Sequence, residues 1–149
     1  MQIISPSHFG RLDSNRGPFA LLLRVKFRNE SRHPVLLEYF RIQYAGNWYK
    51  PQPHTGNVLL NVSPTKQISG TFHNEKPINE SLRIPEMDEI KLHAFFIVPD
   101  PPEPFPGPEK LRIIAEATFV HQSPQQIAFT LTDRGEIEEV GGIGNQEET

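Results

Sequence analysis

Six histidines, at positions 8, 33, 54, 73, 93 and 121, are the most versatile chemical groups in this 149-residue chain, and their spacing withholds most of that chemistry. None stands at the two- or four-residue offset that puts two ligands on one strand or helix face. A metal site would therefore have to be assembled by tertiary folding alone, and the six read as turn and surface residues. The chain has no cysteine, so it has no thiolate nucleophile, no disulfide framework and no cysteine-based zinc or iron site. No serine sits in a Gly-x-Ser-x-Gly elbow, and no Gly-x-x-x-x-Gly-Lys phosphate loop occurs. Glu86, Asp88 and Glu89 bring carboxylates together in a polar stretch, where such groups are solvated rather than paired for acid and base work. The expectation is a protein without catalytic residues, metal or cofactor.

Binding chemistry is better represented. Arg24, Lys26 and Arg28 alternate along one segment, and the next segment offers Tyr39, Arg41 and Gln43 in one phase. Trp48, Tyr49 and Lys50 follow at a turn. Three cations at i, i+2 and i+4 lie about 6 to 7 Å apart on one strand face, a spacing at which they repel and gain from a counter-charge. If the two segments are neighbours, Arg24, Lys26, Arg28, Tyr39, Arg41, Trp48 and Tyr49 converge on one basic and aromatic face for a protein partner. The alternative ligand is carbohydrate, stacked on Trp48 and Tyr49 with Tyr44. A plainer reading of the same residues is a solvated sheet face with charges paired to groups such as Glu38, and with Trp48 at a rim.

The formal charge of −3 is too small to point to nucleic acid or to a membrane surface. It is unevenly spread: six acids against Arg134 make residues 133 to 149 strongly acidic. No apolar run approaches the ~18 residues of a membrane span. The Met1 to Pro6 start shows neither a basic region nor an apolar run, so the expectation is a cytoplasmic protein.

Elements that would position these residues are strands. Ile and Val number 20 and aromatics 14, against 6 Ala, and 15 Pro punctuate the chain at strand spacing. Phe19 to Phe27, Val35 to Tyr44, Val58 to Val62, Ile68 to Phe72, Ile90 to Val98 and Ile127 to Leu131 alternate as strands. Lys110 to Val120 fits either period, with Thr118, Phe119 and Val120 favouring a strand. Residues 74 to 88 read as connection, with room at most for a short edge strand or a helical turn near Leu82 to Ile84. Six prolines between Pro99 and Pro108 forbid a sheet and read as a stiff loop. They match aromatic-groove ligands poorly, because Asp100, Glu103 and Glu109 stand where a basic residue is wanted. The pattern fades beyond Asp133. The organisation expected is one domain over residues 1–140 and a flexible acidic tail over 141–149.

The run Leu21-Leu-Leu-Arg-Val-Lys-Phe-Arg-Asn-Glu-Ser-Arg-His-Pro-Val-Leu-Leu-Glu-Tyr-Phe-Arg-Ile42 resembles the opening strand pair of immunoglobulin-like accessory domains. Asn61-Val-Ser-Pro64 with Ile68 to Phe72 resembles a later edge hairpin of such domains. The resemblance names a fold, not a family: an all-β, antiparallel β-sandwich of about seven to nine strands. It departs from antibody-type domains in lacking the cysteine pair. Such folds carry many functions, so the resemblance implies the fold alone; the function expected is that of a non-catalytic interaction module.

Overall fold

Phe19 to Asn29 shows how the alternation is used. Leu21, Leu23, Val25 and Phe27 are buried on one side while Arg24, Lys26 and Arg28 point the other way. The same division recurs along the other long strands. The computed structural model describes residues 1–12, 18–53, 57–63, 66–71, 76–77, 81–98 and 110–142. Its strands are β1 (Gln2–Leu12), β2 (Phe19–Asn29), β3 (Val35–Tyr44), β4 (Asn47–Tyr49), β5 (Asn57–Ser63) and β6 (Lys66–Thr71). After these come β7 (Lys76–Pro77), β8 (Leu82–Ile84), β9 (Asp88–Val98), β10 (Lys110–Phe119), β11 (Gln125–Thr132) and β12 (Ile137–Gly142).

Two six-stranded sheets result. The first runs β6-β5-β1-β2-β9-β7, and the second runs β12-β11-β10-β3-β4 with β8 also on β3. Every described pairing is antiparallel except the short β7–β9 contact. The fold is therefore an antiparallel β-sandwich, and Lys110 to Phe119 is a strand, fully laddered between β3 and β11. The strand count exceeds seven to nine because short pieces such as β4, β7 and β8 join the sheet edges. Among the described residues no helix is long and apolar enough to cross a membrane. The Pro99 to Pro108 segment lies outside the described residues, and so do residues 143–149; the expected tail boundary at Gly141 falls inside β12.

Between the sheets lies a core in which Phe27 of the first sheet meets Phe40 and Phe119 of the second edge-on, at 6.2 and 5.7 Å between ring centroids. Such edge-to-face pairs suit the ring quadrupole and lock the two layers in register. Asn29 then carries the chain from one sheet to the other. Its amide donates to the carbonyls of His33 (2.8 Å), Pro85 (3.1 Å) and Ile84 (3.3 Å), and its oxygen accepts from the Ser31 N–H (3.0 Å). A buried amide with this many partners fixes the crossover and satisfies backbone groups that no ladder reaches.

A second apolar cluster lies on the outside of the first sheet. Ala20, Leu22 and Phe95 face outward there, yet they are buried against Val58 and Leu60 of β5. The β5–β6 hairpin therefore folds back over part of the outer face. Gly10 permits the crossing: a Cβ at that position would stand 2.6 Å from the Asn61 carbonyl oxygen.

The sandwich is closed at β1. The Ser7 N–H donates to the Gly135 carbonyl (3.1 Å), and the Ile137 N–H donates to Ser5 Oγ (3.0 Å). His8 wedges into this seam. A Cβ on Gly135, whose φ is +83°, would sit 2.7 Å from the imidazole Cε1, and Nδ1 is buried with no hydrogen-bond partner. Burial, then the Lys66 charge, pushes the His8 pKa below its ordinary 6.5. The folded state thus holds fewer protons than the unfolded one, so this contribution is complete above about pH 6.5 and is lost as pH falls through the depressed folded value. Melting temperatures followed from about pH 8 to about pH 5 should fall more steeply for the native protein than for His8→Phe. Parallel curves would contradict the assignment.

Candidate binding face

The sequence places two groups of residues that were expected to converge, and the crossover at Asn29 sends them to opposite sides of the molecule. Arg24, Lys26 and Arg28 lie on β2, on the outer face of the first sheet. Tyr39, Arg41 and Trp48 lie on β3 and β4, on the outer face of the second. The single convergent face is thereby corrected to two separate ones. Tyr49 is corrected as well: it stands opposite Ile42 in the ladder, and both side chains pack toward the core. Tyr44 is buried and stacks on Phe19, so it offers no outward platform.

The second sheet's outer face is built strand by strand. Tyr39 stands beside Thr118, Arg41 beside Glu116, and Gln43 between Trp48 and Ile114. Glu116 is in turn opposite Gln126 on β11. These registers bring three polar groups into one row. The Arg41 Nε donates to Glu116 Oε1 at 2.7 Å, and the Gln126 amide donates to Oε2 at 2.5 Å. Glu116 is only 8 % exposed although it sits on the outer face. Burial pushes its pKa up, but the hydrogen bonds from Arg41 and Gln126, with the Arg41 charge, hold it below the usual carboxylate range.

This carboxylate anchors the Arg41 guanidinium, which lies over the Trp48 ring at 3.9 Å from its centroid. A charged, planar group is thus preorganised on an aromatic one before any ligand arrives, which lowers the ordering cost of binding. Beside the stack Tyr39 is 62 % exposed and Trp48 37 %. A broad groove of about 660 Å³ runs along Tyr39 and Arg41, lined also by Lys50, Pro51, Thr118 and Pro124.

Sequence reading missed Glu116. It lies 75 positions from Arg41 and no local pattern connects them. The only signal was its place among the outward residues of an alternating segment, and Glu38 was the expected partner instead.

On the first sheet, Lys26 Nζ is 3.7 Å from Glu89 and Arg28 Nε is 3.3 Å from Glu30, while the Arg24 guanidinium donates to the Ser5 carbonyl at 3.2 Å. Of the histidines, 8, 33, 93 and 121 are described, and among the described residues no three His, Asp or Glu side chains gather as a ligand set. Compared with protein-family models, with curated proteins and with solved structures, the chain matches none.

Proposed function

We propose that this protein is a non-catalytic interaction module that binds a protein partner through the outer face of its second sheet, with Tyr39, Arg41 and Trp48 as the central contacts. The observation that carries the reading is the Arg41–Trp48 stack, pinned from below by Glu116 and flanked by a largely exposed tyrosine. Trp, Tyr and Arg are the residue types that most often dominate binding energy at protein interfaces. Their preorganised cluster beside a groove is what a partner's side chain would insert against. The immunoglobulin-like reading of the fold is supported by strand order: β1-β2-β9 in one sheet and β11-β10-β3-β4 in the other follow the A-B-E and G-F-C-C′ order of such sandwiches. In that scheme the proposed face is the outer surface of the G-F-C sheet.

Sugar stacking is the weaker reading of the same face. It needs a bare ring, whereas one side of Trp48 carries Arg41 and Tyr49 turns inward. Capture from extract of the source cell, quantified by mass spectrometry, tests the proposal. The double variant Tyr39→Ser, Trp48→Ala should fold within about 1 kcal/mol of the native protein, as exposed changes usually do. It should lose the proteins that the native chain retains. Equal recovery by both would overturn the proposal, and recovery of glycans rather than proteins would move the sugar reading ahead.

A further inference from the structure

The outer face of the first sheet is half covered. Where the β5–β6 hairpin stops, a small cavity of about 110 Å³ lined by His8, Arg24, Ile68 and Ser69 marks its rim. Beyond that rim, β2 and β9 run side by side with Arg24 opposite His93, Lys26 opposite Lys91, and Arg28 opposite Glu89. Lys26 and Lys91 are like charges in directly facing positions, an arrangement that costs a sheet stability. Among the described residues only Glu89 relieves it, through its contact with Lys26, and Glu30 engages Arg28 from the following loop. Lys91 is exposed and makes no ion pair among the described residues. Four cations thus share a shelf that is about 13 Å long from Arg24 to Arg28 and about 10 Å wide across β1, β2 and β9.

We propose that this shelf, bearing Arg24, Lys26, Arg28 and Lys91, is a second docking surface, and that its occupant is an acidic polypeptide segment. The face around Trp48 is on the other sheet, so this proposal stands independently of that one. Charge complementarity identifies the occupant. Carboxylates spaced along an extended segment repeat at strand spacing and meet cations presented at the same interval, and the hairpin rim supplies a wall against which the segment lies. The shelf's size argues for a short stretch of peptide over a nucleic acid. A longer polyanion would run off four cations onto a protein whose overall charge is −3, where its remaining phosphates gain nothing.

A fluorescently labelled hexaglutamate peptide is the probe, titrated against the full chain at low salt with anisotropy as the readout. The native protein should bind it with an affinity that weakens as salt is raised. Lys26→Ser with Lys91→Ser should cut the affinity about tenfold or more, whereas Trp48→Ala should leave it unchanged. Lys91→Glu is the second variant. It places an acid opposite Lys26, so it should fold at least as well as the native chain and still weaken the peptide. Failure of the native protein to bind, unchanged affinity in both lysine variants, or tighter binding of a single-stranded oligonucleotide of equal charge would each overturn the proposal.

Discussion

Replacing Phe27 by alanine should cost about 3 to 5 kcal/mol, the range for truncating a large buried aromatic, and lower the melting temperature by on the order of 10 °C. Phe27 is 1 % exposed and is the first-sheet member of the edge-to-face trio with Phe40 and Phe119. Its loss removes apolar burial and two ring contacts at once. It also leaves a cavity in the middle of β2, which the ladders to β1 and β9 hold from collapsing. Differential scanning calorimetry measures the effect directly. A change below 1 kcal/mol would mean that the two sheets do not meet at this ring.

Gly10→Ala should be the more damaging change per atom added. The new methyl would stand 2.6 Å from the Asn61 carbonyl oxygen and 3.0 Å from its carbonyl carbon, contacts with backbone that no rotamer relieves. Among the described residues β1 and β5 are joined there by two residue pairs, Arg11–Asn61 and Leu12–Leu60. The strands must part, and the β5–β6 hairpin must lift from Leu22 and Phe95. Overpacking of this kind costs about 1 to 3 kcal/mol, here at the upper end because the clash is with main chain. Hydrogen exchange should show the loss concentrated in β5 and β6 while β2 and β9 stay protected. Uniform loss across the domain would show that the hairpin is not a separable layer.

Much of this architecture was legible in the sequence, for a physical reason. β2, β3, β9 and β11 each bury one side against the core, and a buried side demands apolar residues at every second position. The reading Val35 to Tyr44 coincides with β3, whereas residues 82–84, read as connection with room for an edge strand or a helical turn, form β8. The turn at Ala45 and Gly46 also appears, both residues in the positive-φ conformation that a two-residue hairpin needs. β1 went unread because Ser5, Pro6 and Ser7 interrupt its pattern. The structure tolerates them through a register shift between Ile4 and His8, where Ser7 Oγ donates to the Ile4 carbonyl and accepts from the Arg24 N–H, both at 2.9 Å. β12 went unread because its pairing with β11 rests on backbone hydrogen bonds, for which Gly141 and Gly142 serve as well as any residue.

The site was legible as residue types and illegible as a surface. Alternation says which residues point away from a core, and it correctly turned Arg24, Tyr39 and Arg41 outward. It does not say which sheet a strand joins. Asn29, at the end of β2, fixes that through contacts with residues 84 and 85, more than fifty positions ahead. Glu116 is hidden for the same reason, because a buried acid on an outer face acquires its meaning only when β10 pairs with β3.

Trp48 is the only tryptophan in the chain, so its indole gives one fluorescence signal and one N–H resonance, each reporting on the Arg41 stack and nothing else. Titrating the captured partner into the protein while following that resonance shows whether the partner binds over Trp48. If the partner sits on the Arg41–Trp48 stack, the indole signal shifts and the shift saturates together with complex formation. A complex that forms while the Trp48 signal stays unmoved would contradict that placement.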